Sequence, residues 1–161
     1  IEAISVYNES DRMEPLPDTL RRVGFKMRCG GVTADAFPST DEAAAVINIC
    51  REYKVPLKAT AGLHHPIRHF DGALNTNMHG FLNIVGAVIL TYCHRLNIDQ
   101  IRKIISDENA DSFSFSDGIF SWQDMEASED QIAVARRQAF ISYGSCCIDV
   151  GIDDLKALGI F

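Results

Sequence analysis

The feature that most constrains this chain is a strand–helix–strand pattern between residues 25 and 60. Residues 25–29 and Leu57–Thr60 are short β-type runs, and each is followed by small residues typical of turns. Between them, Ser39 and Glu42 have the spacing of a capping box and precede an Ala-rich helical run over residues 43–53. Such a βαβ unit implies parallel neighbouring strands joined by a right-handed crossover. The chain is therefore predicted to be an α/β protein.

The remaining segments predict more helices than strands. A short strand is expected at residues 1–7, a strand or hairpin at 112–122, and a short strand or turn at 144–149. Helices are expected at 18–23, 78–96, 99–106 and 129–143, and a terminal helical turn at 153–158. Residues 63–77 are predicted to be a long polar loop that carries three histidines. Only about four or five strands are available, whereas a complete eight-stranded barrel needs about 200 residues or more. We therefore expect the C-terminal half of a (β/α)8-type barrel or a small open sheet.

The chain has 161 residues and begins with Ile-Glu-Ala-Ile-Ser-Val-Tyr, inside a strand-like run. We expect residues 1–161 to form a single α/β domain that is a fragment of a longer chain lacking N-terminal residues. An incomplete sheet edge of this kind would favour a homo-oligomer or pairing with the missing N-terminal half.

Composition excludes several classes of protein. The net charge of −7 argues against nucleic-acid binding, because phosphate backbones require a basic surface. The apolar stretch over residues 81–92 is shorter than the roughly 20 residues that cross a bilayer, so we interpret it as a buried core helix without a membrane role. The five cysteines are odd in number and contain no CxxC pair, which indicates buried free thiols in a reducing, cytoplasmic compartment.

Cationic residues interrupt two strands that should be apolar in a parallel sheet. Lys26 and Arg28 share one face of the first strand of the βαβ unit, and Lys58 and Thr60 share one face of the second. Because burying an unpaired charge costs several kcal/mol, these side chains need a carboxylate, a ligand or water. In a barrel they would point into the interior, below the substrate mouth. The alternative is an edge strand, or a strand end with its lysine in solvent.

Both cationic strands end in small residues, Gly30-Gly31 and Ala61-Gly62. Glycines at the carboxyl ends of parallel strands allow backbone N–H groups to approach a bound anion. Ordinary tight turns explain the same residues. With Arg28 and Thr60, these glycines form the predicted substrate-binding set.

Histidines are concentrated just beyond the second strand, at His64, His65 and His69, and His79 follows at the start of the next helix. Such residues could bind a divalent metal or act as general acid and base near neutral pH. The carboxylates available to a metal site are Glu9, Asp35 and Asp71. Loop histidines are also commonly solvated or hydrogen-bonded to backbone. The sequence predicts neither a resident metal nor a cofactor, and we assign His64 and His65 as candidate catalytic residues.

Lys58 is the third candidate catalytic residue. A lysine near another cation, such as Arg28, is suited to Schiff-base chemistry, although the pair could simply hold a carboxylate or phosphate. The Tyr-Gly-Ser-Cys-Cys segment around Ser145 lacks the second glycine of a nucleophile elbow, so it is interpreted as a structural turn with buried cysteines. Asp149 is a further carboxylate that could reach the mouth of the sheet.

The stretch Lys58-Ala59-Thr60-Ala61-Gly62 resembles the lysine-containing strand ends of barrel aldolases such as deoxyribose-phosphate aldolase. The match covers about five residues, and the His64-His65-Pro66 continuation departs from it. A wider pattern resembles a bacterial family of barrel-type proteins with no assigned activity; it comprises Arg28 to Gly31, Lys58 to Pro66, Met78 to Phe81 and Gly144 to Cys146. These resemblances imply a barrel-type fold and, for the aldolases, carbon–carbon lyase chemistry.

The leading hypothesis is a lyase or isomerase that acts on a small anionic carbonyl metabolite. Arg28, Gly30 and Gly31 would bind the anionic group, Lys58 would polarise or trap the carbonyl, and His64 or His65 would move protons. One alternative is a non-catalytic domain for ligand binding or assembly. Another is a metal-dependent hydrolase that uses His64, His65 and His69.

Overall fold

A computed structural model of the chain describes residues 4–6, 23–146 and 148–160. Its strands are β1 (Ile4–Val6), β2 (Val23–Arg28), β3 (Leu57–Thr60), β4 (His69–Asp71), β5 (Thr76–Met78), β6 (Phe113–Ser116), β7 (Ile119–Trp122), β8 (Met125–Ser128) and β9 (Phe140–Gly144). Its α-helices are α1 (Thr40–Glu52), α2 (Phe81–His94), α3 (Ile98–Ser106), α4 (Glu129–Gln138) and α5 (Ile148–Ala157). Single 3-10 turns lie at Ala34–Ala36 and Ala110–Ser112. The helix expected at residues 18–23 lies outside the described residues, except for Val23, which begins β2.

The main sheet has the strand order β1-β2-β3-β9. Strands β2, β3 and β9 are parallel, and β1 pairs with β2 in the antiparallel sense. The predicted βαβ unit is confirmed, because β2 and β3 are parallel neighbours joined by α1. The strands of the described residues form a small open sheet, with no closed barrel among them. Of the two architectures expected, the small open sheet therefore fits.

Helix α1 forms where the capping box was expected. The Ser39 hydroxyl accepts a hydrogen bond from the Glu42 N–H at 3.2 Å, and the Glu42 carboxylate accepts one from the Ser39 N–H at 2.8 Å. The inner face of α1 carries Ala43, Ala44 and Ile47 into the core, which also contains the sheet residues Met27, Leu57 and Ala59. One face of the parallel sheet is thereby buried.

Helix α2 is the predicted core helix, and most of its side chains are buried. It packs against α1, α3 and α4. Among the described helices none is both long enough and apolar enough to cross a membrane.

The C-terminal segment differs from the sequence prediction. The helix expected over residues 129–143 ends at Gln138, and Phe140–Gly144 is strand β9, paired with β3. Phe140 is buried in the core, so tertiary pairing and packing override the helical pattern. The terminal helical turn expected at residues 153–158 belongs to a longer helix, α5, which begins at Ile148.

Two further segments contain more strand than expected. The loop predicted at residues 63–77 includes the hairpin β4–β5, whose turn is held by the Asp71 carboxylate accepting from the Ala73 and Leu74 N–H groups at 2.9 and 2.8 Å. Of the strand or hairpin expected at residues 112–122, the structure shows a hairpin, β6–β7, and β8 extends it to three strands.

Candidate functional site

Polar side chains line one face of the parallel sheet, opposite the face that carries Met27 and Ala59. We call this surface the polar face; it consists of Lys26, Arg28, Lys58, Thr60 and Ser142. Lys58 lies directly across from Lys26 on β2 and from Ser142 on β9. A second row, at the carboxyl ends of the strands, joins Arg28, Thr60 and Gly144. The register therefore confirms the prediction that Lys26 and Arg28 lie on one face of β2 and that Lys58 and Thr60 lie on one face of β3.

The cations of the polar face have no acidic partner in the described residues: no ion pair there involves Lys26, Arg28 or Lys58. Lys26 and Lys58 are half-buried, and Arg28 is exposed, with its Nε donating to the Gly30 carbonyl at 2.8 Å. Strand spacing and rise place the Cα atoms of Arg28 and Lys58 about 8 Å apart along the diagonal. Within the described part of the chain, the three cations therefore form one positively charged surface without an acidic counterpart.

The glycines at the strand ends have a packing role. A Cβ on Gly30 would lie 2.5 Å from Phe37 Cε1 and 2.8 Å from Gly62 Cα, so only glycine fits this contact between the ends of β2 and β3. Ala61 and Gly62 both have a positive φ, of 62° and 69°, which turns the chain sharply after β3. Close backbone approach explains these glycines by itself, and their contact with a bound anion stays a prediction.

His64 lies next to the end of β9. Its Nδ1 atom is 3.3 Å from the Ser145 hydroxyl and 3.8 Å from Cys146 Sγ. Because Ser145 directly follows Gly144, this contact adjoins the row formed by Arg28, Thr60 and Gly144. The sequence predicts buried cysteines here, but Cys146 is exposed. Asp149, expected as a further carboxylate, is also exposed.

His65 pairs with a residue that the sequence did not single out. Its Nδ1 atom lies 2.5 Å from Asp154 Oδ2 on α5, and the His69 ring meets the His65 ring edge-on at a centroid distance of 4.6 Å. His69 Nδ1 donates to the Ile67 carbonyl at 3.1 Å. Asp154 was missed because α5 was expected to be a terminal turn with no defined position relative to residues 63–69.

His79 is a structural residue. It is fully buried, its Nε2 donates to the Pro38 carbonyl at 2.7 Å, and its Nδ1 accepts from Arg68 Nη1 at 3.2 Å. Burial lowers the pKa of His79, the bond to Pro38 opposes this, and the Arg68 charge lowers the pKa further. The imidazole is therefore neutral, with both ring nitrogens used within the core.

Asn83 holds the histidine-bearing segment in place. Its side-chain oxygen accepts from the Arg68 N–H at 2.8 Å, and its amide group donates to the carbonyls of Ile104 and Asp107 at 2.8 and 2.7 Å. The Phe81 and Leu82 N–H groups donate to the His65 and Pro66 carbonyls at 3.0 and 2.9 Å. Residues 64–68 are thus fixed on the N-terminus of α2, which defines where His64 and His65 lie.

The histidines do not converge on a metal site. Within the described ranges, no three His, Cys, Asp or Glu side chains are grouped so that they could hold a metal ion. His64 contacts Ser145, His65 contacts Asp154, and Asp71 is used in the β4–β5 turn. Asp35 is exposed, and Glu9 lies outside the described residues.

Two of the cysteines are buried free thiols, as predicted. Burial raises the pKa of Cys29 to about 12 and that of Cys50 to about 11, and it also raises the pKa of the partly buried Cys93. These thiols stay protonated at neutral pH, so Cys29 and Cys50 are inert core residues.

Comparison with known proteins adds no assignment: no protein-family model, no curated protein and no solved structure matches this chain. The resemblance of residues 58–62 to barrel aldolases stays a prediction. The functional interpretation therefore rests on the polar face, on the contact of His64 with Ser145 and on the pair formed by His65 and Asp154.

Proposed function

We propose that this chain carries the active site of a lyase or isomerase that acts on a small anionic carbonyl metabolite. The supporting observation is that Lys26, Arg28 and Lys58 share one face of the parallel sheet without an acidic partner in the described residues. A cationic surface at the strands of a parallel sheet is a favourable place for a carboxylate or phosphate. In this proposal the three parallel strands belong to a barrel-type fold.

The anionic group of the substrate binds at the carboxyl end of the polar face. Arg28 offers guanidinium N–H groups in a planar arrangement that suits a carboxylate or phosphate, and the Thr60 hydroxyl lies beside it on β3. The backbone turns at Gly30-Gly31 and at Gly62 border the same edge. Lys26 adds positive charge without a role in bond making.

Lys58 reacts with the carbonyl group. Its Nζ forms a bond to the carbonyl carbon, two of the protons of the original ammonium group pass to the carbonyl oxygen, and this oxygen leaves as water, which produces an iminium ion that keeps the third proton. Because the positively charged nitrogen withdraws electrons, the neighbouring C–H bond becomes acidic. Loss of that proton moves the electron pair into the C–C–N system as an enamine. Reprotonation by solvent or by a histidine restores the iminium, and water then releases Lys58.

His65 removes the proton in this scheme. Asp154 accepts the hydrogen bond from His65 Nδ1, which orients the ring and leaves Nε2 as the proton acceptor. His64, beside Ser145, supplies a second imidazole at the carboxyl end. Support for this division of roles comes from the His65–Asp154 distance of 2.5 Å.

Hydrogen–deuterium exchange of small ketones tests the proposal, because lyases and isomerases of this type share the proton-abstraction step. The chain is incubated in D2O with pyruvate or dihydroxyacetone phosphate, and loss of the C–H proton signals is followed by NMR. We expect exchange above the rate without protein, and loss of exchange in Lys58→Met and His65→Gln. Lys103→Met, an exposed lysine on α3, is the matched control and should exchange at the wild-type rate.

The contrary result is equally definite. Exchange that persists in Lys58→Met contradicts the role of Lys58. Exchange that is absent with every ketone, while the NMR signals of the ketone still broaden in the presence of protein, contradicts catalysis. The second of these outcomes would support the alternative of a ligand-binding domain without chemistry.

A further inference from the structure

A groove of about 920 Å³ lies at the amino end of the parallel strands, opposite the end where Arg28, His64 and Ser145 lie. We call it the amino-edge groove. Its walls come from the start of β2 and β3, from the C-terminal ends of α1, α2 and α4, and from the connections that follow α1 and α4. Its volume is within the range of about 300–1,000 Å³ typical of small-molecule sites.

The walls of the groove combine apolar surface with an excess of positive charge. The apolar part is built from Ile47, Leu57 and Val88, together with residues of the α1–β3 connection. Among the described residues, the charged side chains that line the groove are Arg51, Glu52, Lys54 and Arg95, which together carry a net charge of two positive units. These cations lie where helices α1 and α2 end, and they offset the partial negative charge of the helix C-termini.

Two buried donor groups in the wall have no hydrogen-bond partner among the described residues. The Thr91 side chain is only 1% exposed, and its hydroxyl makes no hydrogen bond within the part of the chain that is described. The same holds for the Nε of Arg51, although Arg51 Nη2 donates to Asn48 Oδ1 at 2.8 Å and lies 3.6 Å from Glu52 Oε1. Buried donors are nearly always satisfied in folded proteins, since leaving one unpaired costs about 1–3 kcal/mol.

We infer that the amino-edge groove binds a small carboxylate with an apolar body. The Nε–H of Arg51 can only donate, so its partner must be an acceptor, and the surplus positive charge favours an anionic one. The Thr91 hydroxyl can donate to the same ligand. Apolar walls then cover the remainder of the molecule. This site is independent of the proposed lyase or isomerase activity, because it uses the other end of the sheet and none of the same side chains.

Isothermal titration calorimetry with octanoate, below its micelle-forming concentration, tests the site. Octanol and octylamine are the uncharged and cationic compounds of equal chain length. We expect saturable binding of octanoate that exceeds binding of either analogue. Arg51→Gln should weaken octanoate binding by about tenfold to a hundredfold, the range expected for a hydrogen bond to a charged group.

Thr91→Val gives a second readout that does not depend on charge. Because valine removes a buried hydroxyl without a partner, the ligand-free variant should melt at a higher temperature than the wild type while binding octanoate more weakly. Thr91→Ser keeps the hydroxyl and should bind as the wild type does. Arg136→Gln, an exposed arginine on α4 outside the groove, is the control for Arg51→Gln.

Three results would overturn the inference. The first is equal binding of octanoate, octanol and octylamine. The second is unchanged affinity in Arg51→Gln when circular dichroism shows that the variant is folded. The third is loss of octanoate binding in Lys58→Met, because the carboxylate would then be held by the polar face. Loss of ketone exchange in Lys58→Met with octanoate binding unchanged is compatible with the groove, so the two proposals can be tested separately.

Discussion

His65 and Asp154 connect the two segments that follow strands β3 and β9. The distance of 2.5 Å between His65 Nδ1 and Asp154 Oδ2 links residues 89 positions apart in the chain. Both side chains are about one-third exposed, at 38% and 36%. A histidine held in this way presents its second nitrogen in a fixed direction, which is what a general base requires.

Asp154→Asn should slow ketone exchange, because an amide orients His65 less strongly than a carboxylate does. His65→Gln should remove the full contribution of the base and lower the exchange rate by about 10²–10⁴-fold. The exchange rate of Asp154→Asn should lie between that of His65→Gln and that of the wild type. NMR exchange rates at saturating ketone measure both effects. Asp153→Asn changes the neighbouring exposed carboxylate on α5, which lies 4.0 Å from Lys156, and should leave the rate unchanged. Equal rates for Asp154→Asn and the wild type would remove Asp154 from the scheme.

Lys26→Met should stabilise the protein at low ionic strength, since it relieves repulsion with Lys58 directly across on β3. The expected gain in the free energy of unfolding is roughly 0.2–1 kcal/mol, and it should shrink as salt is added. Denaturant titrations at low and high sodium chloride measure it. The same variant should gain less stability from inorganic phosphate than the wild type does. A loss of stability at low salt would show that Lys26 is paired.

Gly62→Ala should destabilise the fold by about 2 kcal/mol or more, because a Cβ there would lie 2.8 Å from Gly30 Cα and φ is +69°. Gly159 has a similar φ of +67°, and a Cβ added there would have no atom within 4 Å, so Gly159→Ala isolates the conformational cost of about 1 kcal/mol. Urea denaturation of the two variants separates the contributions. Equal losses of unfolding free energy in the two variants would mean that the Gly30–Gly62 contact does not contribute to stability.

Stability should fall as the pH drops below 6.5, the ordinary pKa of histidine, because the pKa of buried His79 is lowered in the folded state. Between 6.5 and the lowered value, the unfolded chain binds a proton that the folded chain does not, so protons favour unfolding. Below the folded-state pKa this loss is complete. His79→Gln should flatten that part of the pH profile of the unfolding free energy. His94→Gln, an exposed histidine that contacts the Glu126 carbonyl at 2.7 Å, should not.

Local patterns predicted the first half of the main sheet well. The Ser39–Glu42 capping box and the alternation of Lys26 with Met27 and of Lys58 with Ala59 depend on neighbouring residues, so they can be read from sequence. Strand β9 could not be predicted in the same way. Its residues continue the amphipathic pattern of α4, and only pairing with β3 and burial of Phe140 decide their conformation.

Only the part of the candidate site that depends on local sequence patterns could be predicted. Lys58 and Arg28 were recognisable because charges interrupt strands, whereas Ser145 and Asp154 approach the histidines only through the placement of β9 and α5. The structural role of His79 could not be predicted from the sequence either, because its hydrogen-bond partners Pro38 and Arg68 are 41 and 11 positions away. Contacts between distant segments decide whether a histidine is a buried structural residue or an accessible one.

Borohydride trapping is the decisive test of covalent chemistry at Lys58. The chain is mixed with pyruvate or another small anionic aldehyde or ketone, sodium borohydride reduces any imine to a stable amine, and peptide mass spectrometry locates the modified lysine. We expect one reduced adduct, at Lys58, formed before the exposed lysines Lys54, Lys103 and Lys156 react. Adducts spread evenly over those exposed lysines, with Lys58 unmodified for every compound, would rule out the proposed chemistry.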